Sequence, residues 1–453
     1  MSAPGRDQRQ PPTLIRPLVD FLHTEAAGGV VLVAAAVAAL VWANSPWDAG
    51  YRALWETRLG VSFAGHALDL DLRAWVSEGL MALFFLVVGL EIKRELVEGE
   101  LRDRRQAALP AVAALGGMAV PAALYLAINA GGEHAGGWGI PTATDIAMAI
   151  GVLSLVGRRV PASLKLFLLA LAIVDDIGAV LVIAVVYTDR IDVPALAAAA
   201  GLVAGVAAMR VARVRSHLPF AALGVGLWLA MHEAGLHATL AGVVMGLMAP
   251  TQPARQPELI DAGALADVST LAAAHETRTL ARDAVSVVEW LEHRLHPWTG
   301  FVVVPLFALA NAGIPLGGGA VGDAASSRVA AGVLVGLVVG KPLGITAAAW
   351  LAVRLRLARL PDGAGWPGIA GVGALAGIGF TVSVLVAGLA FEDPATVDEA
   401  KLAVLAASLT ASVAGTAVLV AAHRRTGAGT RHGGGMPEHP APADGTGRSG
   451  VRS

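Results

Sequence analysis

The stretch Leu171–Gly178, which reads Leu-Ala-Ile-Val-Asp-Asp-Ile-Gly, places two adjacent carboxylates in the middle of an apolar run at residues 164–187. About 20 apolar residues are enough for a helix to cross a bilayer. A charged side chain at the centre of such a helix costs at least about 2.5–3.5 kcal/mol and usually marks an ion or proton pathway. A purely structural pair is the alternative, but one aspartate would serve that purpose. We therefore predict a functional site in the membrane at Asp175 and Asp176.

The rest of the chain has the composition of a polytopic membrane protein. Of its 453 residues, 55% are apolar and 15% are charged, whereas soluble domains are about 45–50% apolar and about 25% charged. The net charge is −2 with no basic stripe, which argues against nucleic acid as a partner. With 0 cysteines, disulfides and thiolate metal sites are excluded. Twelve apolar runs are found, at residues 26–43, 75–92, 107–128, 138–156, 164–187, 194–212, 218–231, 235–249, 298–314, 329–353, 367–391 and 401–422.

The first run also matches the core of a signal peptide, because Arg6, Arg9 and Arg16 precede it. Its length and the eleven runs behind it favour a retained helix. Lys and Arg collect in cytoplasmic loops, and here every second connection is rich in them, whereas residues 129–140 and 232–236 have none. This alternation predicts an even number of spans with both termini in the cytoplasm.

We divide the chain into a cytoplasmic N-terminus, a transmembrane domain and a disordered cytoplasmic tail, at residues 1–13, 14–424 and 425–453. The tail has too little apolar content to fold. Two longer segments interrupt the spans, one on the outer face at 44–74 and one in the cytoplasm at 250–297. In the outer segment, Val61–Phe63 and Ala67–Leu70 predict a small β-hairpin.

A second charge stands in the middle of a span. Lys341 lies within Gly340–Gly344, which reads Gly-Lys-Pro-Leu-Gly, near the centre of the run 329–353. It is too deep for its ammonium to reach either surface comfortably. Pairing with a buried carboxylate is the economical solution, either as a structural counter-ion only or as part of a transport cycle.

The fourth and eleventh runs both carry signs of a helix break. In Ile140–Ile146, which reads Ile-Pro-Thr-Ala-Thr-Asp-Ile, Pro141 indicates an interrupted helix. Free backbone groups at such a break must face protein or a water-filled cavity. Asp145 either balances the positive end of a half-helix or contacts an ion directly, and Thr144 offers an oxygen to a cation. In the eleventh run, Gly377 and Gly379 indicate either close packing or a second break.

Paired interruptions in corresponding parts of two halves are the best sequence pointer to the site of a secondary transporter. Residues 107–187 and 329–422 each contain three runs, and the middle one of each is interrupted. Three spans per repeat give the two repeats opposite orientations. The predicted fold is therefore an all-α polytopic membrane protein with about twelve helices, inverted-topology repeats, two interrupted helices and a small outer β-hairpin.

Two carboxylates and an ammonium in a wet cavity predict coupled ion transport. A proton and a small hard cation compete for the same carboxylate oxygens, so binding one releases the other. Oxygen ligands without thiolates favour Na⁺ or Li⁺ over transition metals. No Walker-type glycine–lysine motif stands in a cytoplasmic segment, so no ATP is expected. We predict a secondary transporter without a cofactor, and not an enzyme.

Three other classes of protein share some of these features. An intramembrane aspartyl protease also uses two carboxylates, but they come from different helices, and its Gly-x-Gly-Asp arrangement is absent here. Channels favour rings of like groups across subunits, whereas a buried lysine with paired breaks suits alternating access. The third alternative, a transporter of the same fold that moves a different solute such as an organic one, stays open.

Seven motifs resemble the NhaA family of bacterial Na⁺/H⁺ antiporters, in consistent order over residues 14–424. They are Phe84–Leu96, Ala143–Ala147, Ala172–Ala179, Gly235–Gly242, Leu291–Trp298, Gly340–Gly344 and Gly377–Thr381. The resemblance implies an inner-membrane protein of twelve helices whose interrupted fourth and eleventh spans cross. It also implies electrogenic exchange, in which more protons enter than sodium ions leave, and a homodimer joined through the outer β-hairpin.

The resemblance also implies residue roles. Asp175 and Asp176 become the carriers of the proton and of Na⁺ or Li⁺, with Thr144 as a further cation contact. Lys341 becomes the partner of Asp175 and gives it up when the cation binds. Asp145, together with Lys341, balances the crossed half-helices. Whether Asp175 or Lys341 carries the second proton stays open.

The pH-sensing region of the family maps onto Glu91, Lys93, Arg94, Glu95, His237 and Glu292. Glu91, Glu95 and Glu292 fall at cytoplasmic helix ends, which suits a funnel that attracts cations. In the predicted topology His237 falls on the opposite side of the membrane from that funnel.

Two departures from the family pattern concern regulation. The 250–290 segment is longer than the usual connection, and Glu289 replaces a more typical basic residue. Both put the pH set point in question and leave the transport chemistry as it is.

Overall fold

The computed structural model describes residues 16–429, apart from 64–65, 158–159, 189–190, 213, 215–216 and 252–285. The N-terminus 1–13, most of the cytoplasmic segment 250–297 and residues 430–453 of the tail therefore lie outside the described residues. The last helix runs past the predicted tail boundary at residue 424 and ends at Gly429.

The described chain is mainly helical. Its elements are α1 (Arg16–Ala43), α2 (Asp48–Trp55), β1 (Arg58–Phe63), β2 (His66–Asp71), α3 (Leu72–Val97), α4 (Arg104–Asn129), a 3₁₀ helix (Glu133–Thr142), α5 (Ile146–Val156), α6 (Ala162–Val186), α7 (Val193–Val211), α8 (His217–Glu233), α9 (Leu240–Met248), α10 (Val287–Trp298), α11 (Val304–Asn311), α12 (Ala320–Ser326), α13 (Arg328–Arg354), α14 (Trp366–Leu375), α15 (Phe380–Ala390) and α16 (Pro394–Gly429). A 3₁₀ turn, Glu100–Arg102, joins α3 to α4, and a π turn, Thr299–Val303, joins α10 to α11.

Each of the twelve apolar runs coincides with one helix or one helix pair. Among the described residues, six helices are long and apolar enough to cross a membrane alone, or up to nine spans if each bent pair counts as one. The seventh and eighth runs form the shorter helices α8 and α9. The chain is a multi-pass membrane protein, as the sequence predicts.

Both predicted interruptions are present. The 3₁₀ helix Glu133–Thr142 meets α5 at a bend of 44°, and α14 meets α15 at a bend of 50°. Pro141 lies at the end of the first piece, and Gly377 and Gly379 lie in the second break. In each repeat, a broken span therefore lies between two continuous ones, namely α4 and α6 in one repeat and α13 and α16 in the other.

The predicted β-hairpin is present and is longer than its sequence signal. β1 and β2 pair antiparallel from Arg58 opposite Asp71 to Phe63 opposite His66. The indole Nε1 of Trp75, at the start of the spanning part of α3, donates to the carbonyl of Leu59 at 2.9 Å. This bond ties the hairpin to the end of a transmembrane helix.

Glycines allow the central helices to approach closely. A Cβ on Gly344 of α13 would clash with the carbonyl of Gly116 of α4, and a Cβ on Gly246 of α9 would lie 2.6 Å from the carbonyl of Leu86 of α3. Transmembrane helices lack a hydrophobic driving force between them and associate through such close packing. The α4–α13 contact matters most for the site, because Lys341 lies one turn before Gly344.

Candidate ion-binding site

The two adjacent aspartates lie near the midpoint of α6 and are enclosed by the protein. Asp175 is fully buried and Asp176 is 6% exposed. Both belong to the apolar helix that the sequence predicts, so their carboxylates stand far from either membrane surface. The Oδ1 atom of Asp175 is buried and has no hydrogen-bond partner in the part of the chain that the structure describes. Among the described residues, no group hydrogen-bonds to the side-chain carboxylate of Asp176.

Lys341 is the ion-pair partner of Asp175. Its Nζ contacts Asp175 Oδ2 and donates to Thr144 Oγ1 at 2.9 Å, and the lysine is fully buried. Thr144 Oγ1 also lies 2.5 Å from Asp175 Oδ2. Side chains from the break before α5, from α6 and from α13 thus meet at one carboxylate oxygen. The free Oδ1 of Asp175 and the carboxylate of Asp176 remain as unused oxygen ligands beside this cluster.

The backbone around Lys341 departs from a regular helix. A π turn, Gly336–Gly340, immediately precedes it, and Pro342 follows it without an amide hydrogen to donate. π turns inside α-helices occur frequently at functional sites. A Cβ on Gly340 would lie 2.9 Å from the Cα of Pro121, so glycine lets this part of α13 approach α4.

Asp145 joins the two broken spans. Its Oδ1 accepts the Met148 amide at 2.9 Å and caps α5, and its Oδ2 accepts the Thr381 amide at 3.1 Å and the Thr381 hydroxyl at 2.8 Å near the start of α15. Its own amide donates to the carbonyl of Ile378 at 2.6 Å. One carboxylate thus faces the positive ends of two half-helices.

The glycines of the second break are required by close contacts at the crossing. A Cβ on Gly379 would lie 3.1 Å from the carbonyl of Ala143 and would clash with the hydroxyl of Ser383, and a Cβ on Gly377 would clash with the carbonyl of Leu337. Thr144 Oγ1 satisfies the freed carbonyl of Ala376 at 2.8 Å. Close approach and helix interruption are therefore two aspects of the same feature, where the sequence presents them as alternatives.

The predicted regulatory residues of α3 lie beside α10. Arg94 pairs with Glu292 at 2.5 Å, and Glu91 lies 3.6 Å from the imidazole of His296. Burial raises the pKa of Glu292 to about 7, although Arg94 acts in the opposite direction. Lys93 and Glu95 belong to the same end of α3, and Glu95 is buried. We call Glu91, Arg94, Glu292 and His296 the α3–α10 cluster.

His237 does not join that cluster. Its Nε2 lies 2.7 Å from the carbonyl of Tyr187, between the end of α6 and the start of α9. The Tyr187 hydroxyl in turn accepts the amide of Gly139 at 3.2 Å and donates to the carbonyl of Gly136 at 2.9 Å. His237 is therefore linked through Tyr187 to the 3₁₀ helix of the first broken span.

Two side chains of these sites were not singled out from the sequence. His296 lies one helical turn after Glu292 on α10, and this i, i+4 spacing was its available signal. The hydroxyl of Thr381 bonds to Asp145 across 236 positions of sequence, a distance that no local pattern reveals. Glu289 has a local explanation, because Ser286 caps α10 by accepting the Glu289 amide at 3.1 Å, and an acidic residue suits this first turn.

Comparison with known proteins establishes the family of this chain. The family described as Na⁺/H⁺ antiporter 1 matches residues 19–419. The chain is 47% identical over 419 residues to the Na⁺/H⁺ antiporter NhaA 2 of Sorangium cellulosum, which covers 89% of this chain and 90% of that protein. It is 44% identical over 429 residues to the Na⁺/H⁺ antiporter NhaA of Oleidesulfovibrio alaskensis (91% and 95%), and 45% identical over 418 residues to that of Rhodopirellula baltica (90% and 94%). The chain therefore belongs to the Na⁺/H⁺ antiporter family, whose members are secondary transporters and not enzymes.

Proposed function

We propose that this chain exports Na⁺ or Li⁺ in exchange for protons, with Asp175 and Asp176 as the carriers. The observation that supports this most directly is the arrangement at Asp175. One of its oxygens is held by Lys341 and Thr144, and the other has no partner. With Asp176 next to it, the site offers unused carboxylate oxygens in a place where charge is costly.

Competition at these oxygens accounts for the coupling. When a cation approaches Asp176 and the free oxygen of Asp175, its positive charge replaces that of the Lys341 ammonium, so the Asp175–Lys341 ion pair is no longer needed. Thr144 already stands 2.5 Å from Asp175 and can add a hydroxyl oxygen to the cation. When the cation leaves, protons and Lys341 neutralise the carboxylates again.

The crossing of the broken spans suits alternating access. Asp145 holds the ends of α5 and α15 together through side-chain bonds that do not involve the cation. The two half-helices can therefore rearrange as a unit around the carriers on α6. The site holds three titratable groups, Asp175, Asp176 and Lys341. Asp176 can exchange one proton, and either Asp175 or Lys341 can exchange a second, so that two protons move against one Na⁺ and the exchange is electrogenic.

We further propose the finer placement that the sequence favours. The chain lies in the bacterial inner membrane with both termini in the cytoplasm, because Lys and Arg fill the connections on one side. The α3–α10 cluster then faces the cytoplasm and regulates transport by pH. The outer β-hairpin joins two copies into a homodimer, and no cofactor is involved beyond the transported ions.

Everted membrane vesicles from cells without their own sodium antiporters test the exchange. Respiration acidifies the vesicle lumen, a pH-sensitive dye reports the gradient, and NaCl, LiCl, KCl or choline chloride is then added between about pH 6.5 and 8.5. We expect Na⁺ and Li⁺ to dissipate the gradient, choline to leave it intact, and Asp176→Asn to abolish the response. An exposed variant on α6, Val185→Ala, serves as the control for insertion and expression.

The same assay separates the alternatives. Correctly inserted protein that gives no cation-dependent change at any pH would exclude Na⁺/H⁺ exchange and leave another solute on this fold. Dissipation by every cation that persists in Asp176→Asn would indicate a channel.

A further inference from the structure

A groove of about 820 Å³ lies between α5 and α16, and neither Asp175 nor Asp176 lines it. Val152 and Leu155 of α5 form one wall, and Val413 and Val420 of α16 form the other. Ala417 and Ala421 lie between these larger side chains and leave a trough. Leu155 is 79% exposed and Val413 is 64% exposed, so both are available to a molecule in the bilayer.

The groove ends at a charge. Arg424, on the same side of α16, lines its end, is exposed, and pairs with no carboxylate among the described residues. No lining residue is acidic. A guanidinium at this position can bind a phosphate through two parallel hydrogen bonds. The positive ammonium or choline of a zwitterionic headgroup would find no partner there.

The length of the groove matches one leaflet. The lining residues of α16 extend from Ser412 to Arg424, which is about 18 Å at 1.5 Å per residue. The hydrocarbon of one leaflet is about 15 Å thick, half of the usual core. A lipid whose headgroup lies at Arg424 would therefore place one acyl chain along the whole trough.

We propose that this groove binds one anionic phospholipid, with its phosphate on Arg424 and an acyl chain between α5 and α16. In the orientation proposed above, this lipid belongs to the cytoplasmic leaflet. The site connects the bilayer to α5, the half-helix that carries Asp145 at its N-cap. Bound lipid holds α5 against α16 on the side where this contact is open.

Native mass spectrometry of the full-length protein in detergent tests the proposal. Phosphatidylglycerol and phosphatidylcholine with the same acyl chains are titrated in parallel. We expect one phosphatidylglycerol to bind the wild type more tightly than phosphatidylcholine does. Arg424→Gln should weaken this binding about fivefold, the contribution of one basic residue near an anionic lipid surface.

The matched control is Arg354→Gln, which removes the same charge from an exposed position at the end of α13 and outside the groove. It should leave the affinity unchanged. Ala417→Phe fills the trough and should weaken both lipids. Equal affinity for the two lipids in the wild type, or equal losses in Arg424→Gln and Arg354→Gln, would overturn the proposal. Because the readout is binding, its outcome is independent of the transport assay.

Discussion

At the scale of single residues, the site depends on one buried ammonium. Lys341 is the one position on α13 where a charge reaches the carriers on α6, and it contacts both Asp175 and Thr144. An ion pair without access to water gains little net free energy, but removal of one partner leaves a charge that nothing compensates. The contact between α6 and α13 is therefore stable when both charges are present or both are absent, and it is destabilised when only one of them remains.

A double-mutant cycle tests this dependence. Lys341→Gln should lower the free energy of unfolding by about 3–5 kcal/mol, because it leaves the Asp175 carboxylate buried without a counter-charge. Addition of Asp175→Asn should recover a large part of that loss, since both charges are then absent. Thermal unfolding of the wild type and the single and double variants in detergent, with size-exclusion chromatography as the readout of folded protein, gives the coupling free energy between Lys341 and Asp175. If the double variant is no more stable than Lys341→Gln, the ion pair does not carry this stability.

Glu292, which lies on α10 outside the spanning run 298–314, gives a prediction for the pH dependence of stability. Its pKa is raised by burial from 4.5 to about 7, so between these values the folded protein keeps a proton that the unfolded chain releases. Folding is then favoured by this group at low pH, and the contribution falls as the pH rises from about 4.5 to about 7. Over that range the wild type should lose about 3 kcal/mol relative to Glu292→Gln.

The measurement is the apparent melting temperature of both proteins between pH 4.5 and 8.5. The two curves should lie close together near pH 4.5, because the protonated carboxyl of Glu292 resembles the amide of the variant. As the pH rises, the wild-type curve should fall below that of Glu292→Gln, and the two should run parallel above about pH 7.5, where Glu292 is ionised beside Arg94. Parallel curves over the whole range would show that Glu292 does not titrate near neutrality. If the proposed regulation is correct, Glu292→Gln also shifts the pH profile of transport in vesicles.

At the scale of whole elements, the residue pattern alone indicated the helices and the breaks, whereas the crossing of the two broken spans followed only from the family resemblance. Pro141 and the glycines at 377 and 379 mark where the two spans stop, because these residue types remove a hydrogen bond or admit close backbone contact. The bonds from Asp145 to Thr381 join residues 236 positions apart, and only the folded arrangement of six spans brings them together. Similarly, the π turn Gly336–Gly340 has no periodicity of its own.

The packing of α4 against α13 leads to a prediction about the position of Lys341. Gly344→Ala places a methyl group on the carbonyl of Gly116, so α13 must move away from α4. Overpacking of this kind costs about 1–3 kcal/mol, and the movement should also disturb the Lys341–Asp175 contact one turn earlier. We expect a lower melting temperature together with reduced Na⁺-dependent dequenching in vesicles.

The matched control for this substitution is Gly388→Ala on α15, where an added Cβ meets nothing within 4 Å. Because alanine favours a helix over glycine by about 1 kcal/mol, this variant should be as stable as the wild type or slightly more stable. Equal behaviour of the two alanine variants would show that close approach of α4 and α13 is not needed.

At the scale of the whole molecule, the alternation of basic connections and the number of apolar runs predicted the multi-pass fold. Composition could predict this because the bilayer imposes span length and loop charge directly. Assembly between copies is different, since it depends on surfaces that one chain leaves uncovered. The hairpin is the clearest such surface, because a two-stranded sheet is only marginally stable alone and leaves both of its edges unpaired.

One face of the hairpin is suited to a contact between copies. Leu59 opposite Leu70 and Val61 opposite Leu68 form apolar cross-strand pairs on this face, and Leu59 and Val61 are about half exposed. Val61→Lys places a charge on the apolar face, whereas Ser62→Lys places the same charge on the opposite one, since successive side chains alternate between faces. If the proposed dimer uses this face, Val61→Lys should weaken dimerisation at least about tenfold, because burial of a valine is worth about 1.5–3 kcal/mol.

Light scattering coupled to size-exclusion chromatography, over a dilution series in mild detergent, measures the oligomeric state. The wild type and Ser62→Lys should elute as dimers at concentrations where Val61→Lys is a monomer, and all three should keep the same melting temperature at high dilution. A monomeric wild type would exclude the dimer. If both lysine variants weaken the dimer equally, the contact lies at the strand edges, because the backbone hydrogen bonds there are common to both faces.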